Sequence, residues 1–280
     1  MKTTKCLIPL EFCTVIILAS ANSNAASECP GGFSAGNYLT TGSTTLLSDL
    51  PQGTVEFCVY VNQHAVLPSH LRNSCVGKRN AGNPFPPLTF DVDADGRVFA
   101  NWWPNPEPFV SHNLWSNTPI PAQAWTHVAL TWDGVSWRMY VNGRQDGILA
   151  DSSGLRVASD EVWLGADPWR SELYLDGRLD NVRISNVARL PGTFGTAMDV
   201  HTLAVWRLDG SGHDETGSND LQQVGTITYS QSCDCQLHCI NPNEPGVCVP
   251  ALSEWGLLAM GLLTVAAGMV VVMRRRRVAA

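Results

Sequence analysis

Apolar and polar residues alternate with a period of two in several short runs of this chain. In Thr54 to Val61, the residues Val55, Phe57, Val59 and Val61 fall on one face and Thr54, Glu56, Cys58 and Tyr60 on the other, which is the pattern of a strand with one buried side. His127 to Trp132 groups Val128, Leu130 and Trp132; after Asp133-Gly134, Trp137, Met139 and Val141 repeat the alternation before a second turn at Asn142-Gly143. Two hairpin turns this close together predict an antiparallel meander. Leu88 to Val92, Arg97 to Trp102, Glu161 to Leu164 and Leu173 to Ser185 are further expected strands, divided by Gly, Asp, Asn or Pro. Many short strands, frequent turns and no convincing soluble helix predict an all-β, antiparallel two-sheet sandwich.

The two ends break the pattern. Lys2 and Lys5 precede an apolar run that is densest from Phe12 to Ala19, and small residues continue through Ala26. This order is that of a secretory signal peptide over residues 1–26, with cleavage after Ala21 or Ala25 removing Cys6 and Cys13. Pro9 and Glu11 interrupt the run, which leaves too little to cross a bilayer. Trp255 to Met273, by contrast, is an uncharged apolar stretch of 19 residues followed at once by Arg274, Arg275, Arg276 and Arg277. At about 1.5 Å per residue it spans roughly the hydrocarbon thickness, and the arginines put the C-terminus inside: one transmembrane helix with a cytoplasmic end. The expected division is then a signal peptide (1–26), the sandwich (27–230), a cysteine-rich stalk (231–248) and a membrane tail (249–280).

The chain carries 18 basic and 25 acidic residues, a net charge of −7. Four of the basic residues belong to the tail, so the exported part is more acidic still, and a nucleic-acid partner, which needs a basic stripe, is excluded. Seven cysteines remain after cleavage: Cys29, Cys58, Cys75, Cys233, Cys235, Cys239 and Cys248. Export favours disulfides. Cys58 with Cys75 is the expected strand-to-loop pair, and the four from Cys233 to Cys248 are expected to knot the stalk, with Cys29 a further candidate and one thiol left over. The alternative for Cys233-x-Cys235-x-x-His238-Cys239, a zinc knuckle, has irregular ligand spacing.

Two segments carry family resemblances. Trp125-Thr126-His127-Val128-Ala129-Leu130-Thr131-Trp132-Asp133-Gly134 and Trp137-Arg138-Met139-Tyr140-Val141-Asn142-Gly143 resemble the core motif of laminin G-like, concanavalin A-like jelly-roll domains. Gly53 to Phe57, Leu164-Gly165 and Gly177-Arg178-Leu179-Asp180-Asn181-Val182-Arg183-Ile184-Ser185 match further family motifs in the right order, over about Phe33 to Leu190. Leu203 to Tyr229, with Ala204-Val205-Trp206-Arg207-Leu208-Asp209 and Asp214 to Leu221, resembles the opening of such a domain. It is expected to complete the same sandwich as a permuted strand, because one strand pair could not bury a core alone. Val249-Pro250-Ala251-Leu252-Ser253-Glu254-Trp255-Gly256 resembles the IPTL-type C-terminal sorting signals of Gram-negative bacteria, with Pro250, Leu252, Trp255 and Gly256 on the signature. That resemblance implies envelope sorting, with a membrane transpeptidase as a partner if the tail is cut. The jelly-roll resemblance implies a fold; such domains bind sugars, proteins or lipids and also sit beside enzymes.

Asp91-x-Asp93-x-Asp95-Gly96 is the first half of a calcium loop, in which alternate carboxylates turn toward one hard cation. Trp102 stands where a helix-loop-helix site has its bidentate Glu, and an aspartate-rich hairpin turn accounts for the same residues. Asp209, Asp214, Glu215 and Asp220 form a second acidic group that exposed-loop polarity explains equally well. Calcium is the cation that these acidic loops would take, and no cofactor is required.

Asn101 to Trp125 sets Trp102, Trp103, Phe109, Trp115 and Trp125 among Pro, Asn and Ser. Aromatic faces beside amides grip pyranose rings. Trp102 and Trp103 must point to opposite faces of a strand, so at least one is expected in the core, and Trp125 belongs to the jelly-roll motif; Trp103 and Trp115, which that motif does not require, are the binding candidates. His127 reads as a hydrogen-bonded structural residue. Glu172, Asp176 and Asp180 step by four across Gly177, which does not build the carboxylate pair of a glycosidase. The resulting expectation is a non-catalytic envelope module for a carbohydrate or surface polymer. The rivals are a structural surface protein that contacts an extracellular protein, and a polysaccharide-acting enzyme.

Overall fold

The computed structural model describes residues 32–65, 72–79, 85–105, 110–167, 173–195, 198–229, 237–239 and 248–250. Its strands, in chain order, are β1 (Tyr38–Thr41), β2 (Gly53–Val61), β3 (Asn73–Lys78), β4 (Leu88–Val92), β5 (Arg97–Trp102), β6 (Pro104–Asn105), β7 (His112–Pro119), β8 (Trp125–Trp132), β9 (Ser136–Val141), β10 (Arg144–Ala150), β11 (Gly154–Leu155), β12 (Val162–Leu164), β13 (Gly177–Ser185), β14 (Thr202–Trp206), β15 (Leu221–Val224), β16 (Leu237–Cys239) and β17 (Cys248–Pro250). A seven-stranded sheet runs β15-β1-β12-β3-β4-β5-β7 and a six-stranded sheet runs β10-β9-β8-β2-β13-β14. The pairs β6–β11 and β16–β17 are small separate ladders. The signal peptide, the apolar span from Trp255 to Met273 and the motif residues Leu252, Trp255 and Gly256 lie outside the described residues. So do Cys29, Cys233, Cys235 and Glu172. Among the described residues no helix is long and apolar enough to cross a membrane.

The period-two runs become the central strands. Val55, Phe57, Val59 and Val61 are fully buried, as are Val128, Leu130 and Trp132 on the adjacent β8. They meet Phe90, Val92, Val98 and Trp102 of the opposite sheet in one continuous core. Phe57 and Phe90 touch edge to face with centroids 4.9 Å apart. Trp102 stacks on Trp137 at 3.9 Å, and Trp137 on Trp132 at 4.8 Å, so three indoles tie the two sheets at one end. Buried indole N–H groups need acceptors. Trp132 donates to the Leu50 carbonyl and Trp137 to the Ser153 carbonyl, at 3.0 and 2.9 Å. Asn142 and Gly143 both adopt positive φ (47° and 73°), as the two-residue turn between β9 and β10 requires.

Two elements differ from the sequence reading, and the segment after Leu203 enters the sandwich as two strands where one was expected. The stretch before Trp125 is not all loop: β7 forms there, with only Leu114 giving it an apolar residue in the core cluster, too weak a pattern to register as a strand. The expected strand from Leu173 begins at Gly177, preceded only by a Tyr174–Ala166 bridge. The segment after Leu203 divides between the sheets, β14 pairing with β13 and β15 with β1, so it is an edge of this sandwich on both sides.

Candidate functional site

Because Val98, Ala100 and Trp102 face the core, Phe99 and Asn101 face outward from the seven-stranded sheet. The β5–β7 register sets Trp115 beside Phe99 and Asn113 beside Asn101. Trp115, 36% exposed, tilts against Phe99 at 4.8 Å, and the Arg72 guanidinium lies 3.7 Å over the Phe99 ring. Asp93 closes this end: it accepts from Trp115 Nε1 at 3.4 Å and sits 3.8 Å from Arg72. Next along the strands, Asn101 Nδ2 donates to Asn113 Oδ1 at 2.8 Å. Both amides are half-buried, and the pair keeps one amide nitrogen and one amide oxygen available. Trp103 follows the end of β5 and meets Phe85, which is 41% exposed, edge to face at 4.6 Å. Trp103 and the Phe99–Trp115 pair are four residues apart along the strand, roughly 13 Å, with the two asparagines between them.

The expected tryptophans thus fall at the two ends of one amide-centred patch, and Trp102 is wholly in the core. The alternation of β5 made it legible that Trp102 and Trp103 face opposite ways, but not which of them is core. Arg72, Phe99 and the Asn101–Asn113 pair were not legible, since they come together only through the register of β3, β4, β5 and β7.

The three aspartates of the expected cation loop part company. Asp91 is buried on the outer face, and desolvation drives its carboxyl up to about 7; Arg72 and Arg79 oppose that rise, and Asp167 adds to it. Asp93 serves Trp115 and Arg72, while Asp95 accepts from the backbone and side chain of Arg97 at the hairpin turn. In the second acidic group, Asp214 is a loop hub accepting from Val205, Thr216 and Asn219. Glu215 pairs with Arg207, and Asp220 with His213. Asp209 lies near Asp180, whose carboxyl is buried and pushed up to about 8, first by desolvation and then by the Asp209 charge. Among the described residues no group of three or more His, Cys, Asp or Glu side chains is arranged to hold a metal ion.

His127 is buried on the outer face of the six-stranded sheet, with Nε2 3.1 Å from Glu56 Oε2, and Glu56 Oε1 accepts from Arg183 Nε at 2.6 Å. Burial would raise the Glu56 carboxyl, but the His127 hydrogen bond and the Arg183 charge outweigh it and hold it below its ordinary value. Phe194 packs over His127 and Tyr140. His127 is hydrogen-bonded through Nε2, while its Nδ1 is buried without a partner among the described residues.

The Cys58–Cys75 pair is a correction. Cys75 is a free, buried thiol in the core cluster, at a bulge of β3, whereas Cys58 is disulfide-bonded to a different cysteine. The alternation of β2 explains it: Cys58 shares the Glu56 side, facing away from the core that Cys75 occupies. Cys239 and Cys248 stand opposite each other in the β16–β17 ladder. Pro250 ends that ladder.

Residues 33–192 match the concanavalin A-like lectin/glucanases superfamily, and residues 249–277 match the IPTL-CTERM motif. No curated protein sequence matches the chain. Among solved structures, a Bacteroides ovatus protein named for carbohydrate binding is similar at TM-score 0.55 and 17% identity; the match covers 73% of this chain and 61% of that one. A heptameric pentraxin from Limulus polyphemus is similar at TM-score 0.50 and 14% identity, over 73% of this chain and 94% of that one. These likenesses concern the fold. With two antiparallel sheets packed on one core and more than half its length matched, the chain belongs to the concanavalin A-like lectin/glucanases superfamily and carries an IPTL-CTERM sorting motif.

Proposed function

We propose that this protein is an exported, envelope-anchored and non-catalytic carbohydrate-binding module. Its ligand lies on the outer face of β4, β5 and β7, between Trp103 and Trp115 and over the Asn101–Asn113 pair. The observation that carries this reading is the placement of two aromatic groups on either side of a half-buried amide pair. Rings stack on the C–H faces of a pyranose, while the amide nitrogen and oxygen choose its hydroxyls. The charges nearby are compensated, Arg72 by Asp93 and Arg79 by Asp167, so the site favours a neutral glycan. Asp93, the carboxylate that bonds Trp115, is occupied by that indole and by Arg72, which supports binding over bond cleavage, since glycoside hydrolysis needs two carboxyls across the scissile bond. Export and anchoring rest on the residues 1–26, on the apolar span from Trp255 to Met273 and on the sorting motif.

The test is titration calorimetry of the full chain against neutral hexasaccharides of glucose, xylose and mannose and their polymers, with calcium and with chelator. Saturable binding of at least one glycan is expected. Trp115→Ala should then lose about 2 kcal/mol, near thirtyfold in affinity, with the fold intact. The chelator arm reads whether calcium contributes. Release of shortened products would overturn the non-catalytic reading. Failure of every glycan to bind would overturn the carbohydrate reading and leave a structural or protein-contacting surface domain.

A further inference from the structure

The registers of all seven strands align one outward row across the sheet: Gln222, Thr40, Trp163, Gly77, Thr89, Asn101 and Asn113. Every side chain in it is uncharged. The middle of the row is closed, because Thr89 and the neighbouring Arg79, Asp91 and Asp167 are all buried. The row opens at Asn101 and Asn113 and again at Trp163 and Gln222, with Thr40 buried between the last two. One end is the Asn101–Asn113 patch already described. At the other, Trp163 stacks on Tyr38 with centroids 4.5 Å apart and planes within 25°, both rings being half-buried.

This second end repeats the composition of the first. An aromatic pair stands beside an exposed amide, Gln222, and beside Glu161, whose Oε2 accepts from Thr40 at 2.8 Å. Trp163 Nε1 is a buried donor with no acceptor among the described residues, unlike the core indoles of Trp132 and Trp137. An unpaired buried donor is costly, and a ligand hydroxyl would satisfy it once binding uncovers the ring edge. Trp163 on β12 is three strand spacings from Asn101 on β5, about 14 Å, with the closed centre between them.

Resting on the carbohydrate reading above, we infer that the Tyr38–Trp163 pair, with Thr40, Glu161 and Gln222, is a second binding site for a neutral glycan on the same face. A module with two such sites holds a polymer at two points, and its avidity for long chains exceeds either site's own affinity.

The experiment titrates the full chain with the disaccharide and the polymer of whichever hexasaccharide of the panel binds. Indole N–H resonances are followed in parallel. The disaccharide should bind with a stoichiometry near two and shift both the Trp115 and Trp163 signals. Tyr38→Ala, or Trp163→Phe, which keeps a ring but removes the donor, should reduce the stoichiometry to one and weaken polymer binding at least tenfold. Trp115→Ala should leave the Trp163 shift in place. A stoichiometry of one, with Trp163 unmoved and the Tyr38 and Trp163 variants binding like the parent, would overturn the second site while leaving the first intact. Absence of binding by the whole panel would overturn the reading on which it rests, and the second site with it.

Discussion

Asp180→Asn should make the protein more stable at alkaline pH and leave it little changed in acid. Asp180 is 1% exposed, its Oδ1 has no hydrogen-bond partner, and its Oδ2 accepts from Asn181 Nδ2 at 3.0 Å. Desolvation, reinforced by Asp209, raises the carboxyl to about 8, against about 3.9 for an aspartate in an unfolded chain. A raised folded value means that the native state keeps a proton the unfolded chain has released. The stabilisation is therefore complete below about pH 4 and is lost as pH rises through 8. Between pH 5 and pH 9 the wild-type chain should lose about 4 kcal/mol through this one group. Asparagine has the same shape, can accept from Asn181 and does not titrate, so the variant should be spared that loss. Urea unfolding of both proteins at pH 5 and pH 9, in chelator so that no divalent ion neutralises the site, isolates the effect as a difference of differences, because every other titrating group is shared. A gain at pH 9 no greater than at pH 5 would refute the claim that Asp180 is held protonated by burial.

Glu56→Ala should destabilise by about 3–5 kcal/mol in the same assay, since it strands the buried Arg183 guanidinium and frees His127 from its partner. Cys75 should resist iodoacetamide in the native protein and react after unfolding, because burial and the Asp91 charge push its thiol well up; peptide mapping should find no Cys58–Cys75 bridge. Gly53→Ala should destabilise by 1 kcal/mol or more, seen as a lowered thermal midpoint, since the new Cβ would meet the Trp132 ring at 2.3 Å.

The core was legible because its strands are amphipathic: β2, β8 and β9 carry an apolar residue at every second position, and those residues line the core, while the positions between them, Glu56, Cys58 and His127 among them, are buried on the outer face. Two strands of the other sheet were not. The edge strand β7 buries only Leu114 and Ser116, and the central strand β3 carries Gly77 and a bulge at Cys75, so neither shows a period in the chain. The bulge also defeats the expected disulfide, since counting residues assigns Cys75 no side, whereas the β3–β4 ladder turns it into the core.

The binding face shows the same limit from the other side. Tryptophans are conspicuous in any sequence, and alternation puts Trp102 and Trp103 on opposite faces without saying which of them is core. What makes a tryptophan part of a site is its neighbours, and these lie on other strands. Asn113 reaches Asn101 from β7, Arg72 reaches Phe99 from before β3, and Tyr38 reaches Trp163 from β1, 125 positions earlier in the chain. Each of these contacts is set by strand order and register, which are properties of the closed sandwich. A substitution that shifted the register of β5 by one residue would turn Asn101 inward and Trp102 outward. It would dismantle both the indole stack of the core and the amide patch of the face. The fold and the proposed site are therefore coupled through the same ladder, and variants that test binding have to be chosen among side chains that leave that ladder untouched.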